Sequence, residues 1–512
     1  MGADTSLSVR HAVAARGAAS SGRLPDADVV EWLVDNARTY DALVAAIGRA
    51  EHSVWITQLA LDADCVAYAT GARGGDVVLI QELLDAAARG VDVRVLLNAS
   101  LLLDTARPLS AFLKERNTGI RLRGVSKFPQ LLHAKMLIAD ERHAFLVGSP
   151  FVNGYWDDSR HRPIDARRPV RELGGRPLHD VSFRVGGTAV AGLCACFADL
   201  WNEVAGGDVD NDSVSVPATV SDAASSGTSA FSVVRTVARN MLAEHPDGVD
   251  EILAALLDGI AGAHQTIYIE HQYLSARPII AALAAALERA PELEVVVLLN
   301  QNPDITAYRG WQNKRLAEAG LLDHPRVGLF ALWSVERGQG SCAINQVFVH
   351  SKVLTVDDAW ATVGSANLDG VSLHSYGDDF SGRIARRVFR HVRNFDVNVV
   401  VNARGDGQSG VVQDLRERLW REHLGESVDS HVGGLRRWRE QAARNVESLN
   451  RRAATDIAPC TTLILPYSLR STPARQLRNV GIRLDGTGMH LQFNPGWLEV
   501  HASPNWVRNM FL

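Results

Sequence analysis

A short pattern occurs twice in this chain, and it restricts the fold more than any other feature. The first copy is His133-Ala134-Lys135, followed by Asp140 and then Gly148-Ser149. The second is His350-Ser351-Lys352, followed by Asp357 and then Gly364-Ser365-Ala366-Asn367. In both copies the aspartate falls five residues after the lysine. The flanking segments, LLHAKMLIA and VFVHSKVLTV, read as strands. Alternate side chains of a strand share a face, so each histidine points the same way as its lysine. The pattern is the centre of a wider duplication. EHSVWITQLAL (51–61) matches HQTIYIEHQYL (264–274), VDVRVLLN (91–98) matches LEVVVLLN (293–300), and HDVSFRV (179–185) matches FDVNVVV (395–401). The helix ending near Trp201 matches the one ending near Trp420.

Each half therefore reads in one order: helix, strand, helix, strand, the His-x-Lys hairpin, another strand, a closing helix. Strands alternating with helices imply βαβ units, and strands apolar on both faces imply sheets covered by helices. A repeat of about 215 residues is too long for a solenoid unit of roughly 20–50. The expected fold is α/β: two similar α/β/α sandwich lobes with mixed sheets, related by internal duplication, with one active site at their interface. A length of 512 residues suits two large lobes. The expected boundaries are a flexible tail (1–24), a first lobe (25–204), a Ser/Asp/Ala/Gly-rich linker (205–232), a second lobe (233–425) and a C-terminal extension (426–512) that opens with an arginine-rich amphipathic helix.

Two half-sites, each an imidazole beside an ammonium, suit attack on a phosphodiester. One histidine can act as nucleophile, the other as acid, and two lysines can hold the anionic oxygens. Metal ions often do the latter work. No HExxH motif or dense carboxylate run is present, so Lys135 and Lys352 are expected to supply the charge, with no metal and no cofactor. Asp140 and Asp357 read first as acceptors of backbone N–H groups in the hairpin turn, with direct chemistry the alternative. Ser149 and Ser365, each after a glycine, can support a phosphate oxygen or a lysine. Asp180 and Asp396 follow His133 and His350 at almost the same spacing, and the one-residue difference equals the extra residue of the first hairpin. A catalytic imidazole needs an acceptor on its second nitrogen, which fixes the tautomer, and these two aspartates are placed for it. Phe151 falls where the second copy has Asn367, and Asn153 is the nearest substitute.

The repeated pattern resembles the phospholipase D superfamily, whose signature is HxKxxxxD followed by a GS-type turn and an asparagine. The second copy fits at every position through Asn367, whereas the first departs after Asp140. GYWDDSRHRP, PLHDVSFRVGG, IYIEHQYL (267–274) and LRERLWREHLG (415–425) resemble the phospholipase D enzymes more than the nucleases of that superfamily. The resemblance implies catalytic roles for His133, Lys135, His350, Lys352 and Asn367, with Asp180 and Asp396 orienting the histidines. It also implies hydrolysis of a glycerophospholipid such as phosphatidylcholine through a covalent phosphohistidine, with His133 as nucleophile and His350 as acid. An alcohol in place of water would give transphosphatidylation. The alternatives are a cardiolipin or phosphatidylserine synthase-type phosphatidyltransferase, a nuclease of the same superfamily, and a non-catalytic lipid-binding protein.

A formal charge of −5 and a pI near 6.4 argue against a general nucleic-acid binder. The expected partner is a phospholipid at a membrane surface, met by a monomer with no nucleic acid. The longest apolar stretches are far short of the ~20 residues that cross a bilayer. MGADTSLSVRHAVAARGAASSGR lacks the apolar run of a secretory signal, so the expected setting is cytoplasmic with peripheral membrane contact. Five scattered cysteines make no disulfide framework, and Cys194-x-Cys196 lacks zinc-site spacing, so buried thiols are expected. Arginines are dense at 160–171 and 383–393. They read either as a cleft rim for headgroup phosphates or as solvated loops pairing with aspartates such as Asp157 and Asp378. Trp497, Trp506 and Phe511 read as packing the tail onto the body, with an interfacial anchor the alternative.

Overall fold

A computed structural model describes residues 30–491, except 71–73, 101–102, 128–129, 170–172, 187–189, 206–211, 216–230, 305, 339–340, 374–393, 404–408, 427, 452–459 and 485–488. The tail at 1–24, most of the expected linker, the arginine run at 383–393, Asp378, and Trp497, Trp506 and Phe511 lie outside the described residues.

The first half contributes β1 (Val30–Val34), β2 (Ser53–Thr57), a small hairpin of β3 (Val66–Ala67) and β4 (Val77–Val78), β5 (Asp92–Asn98), β6 (Arg121–Val125), β7 (Leu131–Leu132), β8 (Met136–Ala139), β9 (His143–Leu146), β10 (Leu178–His179) and β11 (Val181–Gly186). Its helices are α1 (Asn36–Arg49), α2 (Leu79–Ala88), α3 (Ala106–Lys114) and α4 (Ala191–Ala205). The second half contributes β12 (Phe231–Val237), β13 (Val249–Asp250), β14 (Thr266–His271), β15 (Glu294–Leu299), β16 (Val327–Gly338), β17 (Ser341–Gln346), β18 (Phe348–Val349), β19 (Lys352–Val356), β20 (Trp360–Gly364), β21 (Asn394–Asn402), β22 (Cys460–Pro466) and β23 (Met489–Leu491). Its helices are α5 (Glu251–Ala261), α6 (Arg277–Arg289), α7 (Thr306–Glu318), α8 (Ser409–Leu424), α9 (Gly434–Asn450) and α10 (Pro473–Asn479).

The strand orders carry the duplication. The first sheet runs β1-β11-β9-β8-β2-β5-β6, and the second contains β12-β21-β20-β19-β14-β15-β16 in the same sense. β2–β5 and β14–β15 are parallel, whereas the His-x-Lys hairpins are antiparallel, so both sheets are mixed. The second sheet is extended by β13 at one edge and by β17, β23 and β22 at the other. α9 and β22 thus belong to the second sheet's layers rather than to a separate appendage, since β22 pairs with β16 from Phe330 to Glu336.

The strands are apolar on both faces because each face has a different neighbour. On β2, Val54 and Ile56 enter a core private to the first half, while Trp55 enters a core shared by both halves. On β15, Val295 and Val297 face the second half's own core, and Val296 and Leu298 face the shared one. This is the period-2 alternation of a strand, with apolar partners on either side. The shared core also holds Phe183, Trp201, Tyr268, Trp420 and Trp438, and it fixes the halves against each other. Each buried aromatic ring of this size contributes on the order of 2–3 kcal/mol.

Candidate active site

Two short parallel pairings cross between the lobes and position the site. β7, just before His133, pairs with the start of β21, Leu132 opposite Phe395. β10, just before Asp180, pairs with β18, Val349 opposite His179. The backbone then holds both motifs. His133 and Ala134 donate their N–H groups to Phe395 O at 3.0 and 2.8 Å, and His350 donates to His179 O at 2.8 Å.

The consequence is an exchange of carboxylates. Spacing within each half matches His133 to Asp180 and His350 to Asp396; the structure pairs them the other way. His133 Nδ1 lies 2.6 Å from Asp396 Oδ1, and His350 Nδ1 lies 3.0 Å from Asp180 Oδ2. Each histidine's carboxylate therefore comes from the opposite lobe, because β7 and β18 each run beside the other lobe's aspartate strand. All four side chains are buried, with the histidines 9% and 2% exposed. An aspartate on Nδ1 leaves Nε2 as the reactive nitrogen.

The serines complete the two pairs. Ser149 donates its hydroxyl to Asp180, and Ser365 donates to Asp396 Oδ1 at 2.8 Å. Ser149 Oγ also lies 3.4 Å from His350 Nδ1. Gly148 and Gly364 make room: a Cβ at Gly148 would collide with the Asp180 carboxylate, and one at Gly364 with the Asn398 side chain. Lys135 and Lys352 are fully buried and donate to the carbonyls of His133 and His350, and Lys352 also reaches Gln272 Oε1 at 3.3 Å.

Burial and mutual repulsion set the charges here. Burial first, then Lys135, pushes the His133 imidazole down to about 4, and burial, then Lys352, pushes His350 down to about 3. Burial and the facing Lys352 lower Lys135 to about 7, and burial lowers Lys352 to about 8. Burial opposes ionisation of Asp396, but His133 and Ser365 outweigh it and hold the carboxyl at about 2. Asp180 is lowered in the same way, with burial overcome by His350. With both carboxylates ionised and both imidazoles neutral, Lys135 and Lys352 carry the positive charge of the centre and can meet an anionic phosphodiester.

Asp140 and Asp357 sit in the hairpin turns at the far end of the strands, in the backbone-accepting role read first for them and away from the histidines, whereas the readings of Phe151 and Asn153 need correction. The Asp140 carboxylate accepts N–H groups from Glu51, His52 and Ser53, and the Asp357 carboxylate those of His264, Gln265 and Thr266. They support the turn, where Asp140 and Glu141, like Asp357 and Asp358, adopt positive φ. The extra residue of the first hairpin is not in that turn. Ala139 pairs with His143 as Val356 pairs with Trp360, so the insertion falls between Leu146 and Ser149. Nor does Phe151 replace Asn367. Phe151 O accepts from Asp62 N, and Leu368 O accepts from Ser275 N, and matching bridges link Leu61 to Phe151 and Leu274 to Leu368. Phe151 is thus the counterpart of Leu368, and Asn367 has none. Asn153 does not fill the gap: its amide donates to Asp64 O at 2.9 Å and its oxygen accepts from Val66 N at 2.8 Å. Asn367 Oδ1, by contrast, is buried without a hydrogen-bond partner.

Sequence reading missed Asn36, Tyr155 and Gln272. Asn36, at the start of α1, donates to Ser149 Oγ at 2.8 Å and to Tyr155 O at 2.6 Å. The Tyr155 ring meets His350 edge-on at 5.2 Å. Gln272 stood in the IYIEHQYL segment and Tyr155 in GYWDD, so both had a signal; Asn36 had none. Arginines of the 160–171 run are tied to aspartates: Arg168 to Asp157, Arg160 to Asp158, and Arg167 to both Asp158 and Asp165. Cys65, Cys194 and Cys196 are buried free thiols.

A family model described as "Cardiolipin synthase, PLD-like domain" matches residues 43–151 and 256–382. Phospholipase D A of Dictyostelium discoideum is 25% identical over 384 residues, covering 61% of this chain and 29% of that protein. Cardiolipin synthase A of Pseudomonas putida is 25% identical over 364 residues, covering 69% of this chain and 64% of that protein. The chain thus spans less than two thirds of the length of either curated relative. Among solved structures, a phosphatidylserine synthase of Haemophilus influenzae aligns with a TM-score of 0.49 and 12% identity, over 81% of this chain and 93% of that one. Among the described residues, no helix is long and apolar enough to cross a membrane.

Proposed function

Because the chain belongs to the phospholipase D superfamily, we propose that it is a phospholipase D-type enzyme that cleaves the headgroup phosphodiester of a glycerophospholipid. The observation that carries this reading is the pair of exchanged histidine–aspartate contacts around two buried lysines. His133 Nε2 attacks phosphorus, a P–N bond forms and the P–O bond to the headgroup breaks. His350 gives its proton to the departing alkoxide. It then takes a proton from water as the oxygen attacks phosphorus, the P–N bond breaks, and phosphatidic acid leaves. Lys135, Lys352 and the Asn367 amide steady the nonbridging oxygens. The bound phosphate anion offsets the two lysines, and this lets His350 carry the proton it must donate.

A second reading has a specific observation behind it. The matched family model and the Pseudomonas relative both carry the name cardiolipin synthase. In that reading a lipid alcohol replaces water in the second step, with the same bonds made and broken. Vesicles of phosphatidylcholine, and separately of phosphatidylglycerol, distinguish the two. Free choline and phosphatidic acid indicate hydrolysis; cardiolipin and glycerol indicate transfer. Cleavage of single-stranded DNA, with neither lipid turned over, would overturn the lipid assignment. Quenching during turnover of a slow substrate and mapping the acid-labile phosphoryl group by mass spectrometry tests the histidine roles. An adduct on His350 alone would reverse them.

A further inference from the structure

Beside the exchanged carboxylates lies a second buried cluster that the reaction does not use. Asp35 follows β1, His161 sits in the loop after Trp156, His179 ends β10, and Glu422 lies on α8. They come from both lobes and meet at one point. His161 Nε2 lies 3.4 Å from Asp35 Oδ1 and 3.2 Å from Glu422 Oε1. His179 Nδ1 lies 3.1 Å from each of the same two oxygens. Two ring nitrogens thus face two carboxylate oxygens, and all four atoms lie within 4.8 Å of one another. A zinc ion with N/O ligands at about 2.0–2.1 Å has tetrahedral ligand–ligand edges of about 3.3 Å. The four measured edges bracket that value.

The surroundings are those of ligating histidines. A metal-bound imidazole typically gives its other N–H to a carboxylate, which fixes the tautomer. His161 Nδ1 lies 3.1 Å from Asp157 Oδ2, and Arg168 and the Leu178 N–H anchor that carboxylate. His179 Nε2 lies 2.6 Å from Glu270 Oε1 as an ion-pair contact that lacks the direction of a hydrogen bond, and the Tyr268 hydroxyl at 2.7 Å steadies the other Glu270 oxygen. With those outer nitrogens protonated, the lone pairs of both rings point at the two carboxylates. Asp35 Oδ2 is also buried without a partner, although the residue is only 2% exposed.

The lobe contact itself does not demand these charges. The duplication places Thr236 opposite Asp396 where the first half continues into Asp35, Phe395 where it has His179, and Thr57 where the second has Glu270. The same joint is therefore built once from neutral side chains and once from a buried set of acids and imidazoles.

We propose that Asp35, His161, His179 and Glu422 bind one divalent cation of the zinc class, which pins the lobes together next to Asp180 and takes no part in the chemistry. Two protons on the imidazoles would balance the same charge, so the competing occupant is a proton pair. A proton pair accounts for one directed contact per ring, His161 Nε2 to Glu422 Oε1 and His179 Nδ1 to Asp35 Oδ1; a metal ion accounts also for the second close oxygen of each nitrogen, at 3.4 and 3.1 Å. The proposal is independent of the reaction assigned above, because it is read from metal content rather than turnover.

The test uses full-length protein purified without a metal-affinity step. Elemental analysis of the protein as purified, and again after chelation and dialysis against zinc sulfate, should find about one zinc per chain. X-ray absorption should show an N/O shell with two imidazoles and no sulfur. His161→Gln and Glu422→Gln should each fall below about a tenth of an equivalent. The exposed His52→Gln should retain the full complement, and chelation should lower the Tm of wild type but not of His161→Gln. Wild-type protein that takes up no zinc under either condition, a sulfur-containing shell, or full occupancy in His161→Gln would each overturn the proposal. If a variant does not fold, the wild-type uptake and absorption measurements decide alone.

Discussion

The two half-sites are the same at the reacting atoms and different one residue away. Each has a buried histidine, a lysine two residues on that bonds the histidine's own carbonyl, and a serine bonded to an aspartate. That aspartate holds the other histidine. Beyond this the halves part. The second has Asn367, whose loop has one residue more than the corresponding turn at Pro150 and Phe151. The first has Asn36 on its serine and Tyr155 beside His350. The halves share the groups that meet phosphorus in the proposed reaction and differ in those that frame it, so the two histidines have alike partners in unlike surroundings.

The strongest way to break this comparison is to remove one histidine. His133→Ala and His350→Ala should each lower kcat by at least about 10⁴-fold, since nucleophile and acid are both needed. A single variant keeping half of its activity in a headgroup-release assay would mean two independent sites.

The crossing is tested by its aspartates. Asp180→Asn and Asp396→Asn should each cost about 10²–10⁴-fold in kcat. Titration by NMR with ring-labelled histidine gives the sharper result. Asp396→Asn should move the His133 resonance and leave that of His350 nearly unchanged; the reverse would restore the pairing within each half.

The asymmetry predicts unequal amides. Asn367→Ala should lower kcat by about 10²-fold through loss of a donor to the developing charge. Asn153→Ala should change kcat by less than about threefold, because its amide holds the 64–66 loop. Equal losses would show that Asn153 reaches the substrate after all.

The smallest effect is a pH limb. Lys135 is lowered to about 7 and Lys352 to about 8, so both lose charge as pH rises through that range instead of near 10.5. In the free enzyme this removes the anion-holding charge, so kcat/KM should fall by about tenfold per pH unit between pH 7 and 8, as Lys135 discharges, and more steeply above pH 8, as Lys352 follows. Lys135→Arg keeps its charge at every accessible pH, and its limb should move up toward that of Lys352. A flat profile to pH 10 would show that the lysines stay charged.

Much of this architecture was legible from the residues. Period-2 apolar runs located the strands of both halves, and the repeat of His-x-Lys located the site. What the repeat hides is which copy folds against which. The matched spacing within each half points to the uncrossed pairing, and only the packing of β7 on β21 and β10 on β18 selects the crossed one. The Phe151 position was misjudged because it was counted onward from Ser149, where the first half has one residue fewer; counted from the histidine, the residue added before Ser149 cancels that loss, and Phe151 falls at 18, as Leu368 does. His161, His179 and Glu422 each stood in a segment singled out from the sequence, GYWDDSRHRP, PLHDVSFRVGG and LRERLWREHLG, but nothing within any one segment shows that they meet each other and Asp35.

The exchange of carboxylates also bears on how such a chain could arise. A polypeptide half this long would hold a histidine and an aspartate that cannot reach each other. It could build a working centre only by pairing with a copy of itself, and its activity would then rise with the square of its concentration. Joining the copies end to end makes the encounter intramolecular and holds its effective concentration constant. It also lifts the requirement that both partners be identical, so one can acquire His179 where the other keeps Phe395.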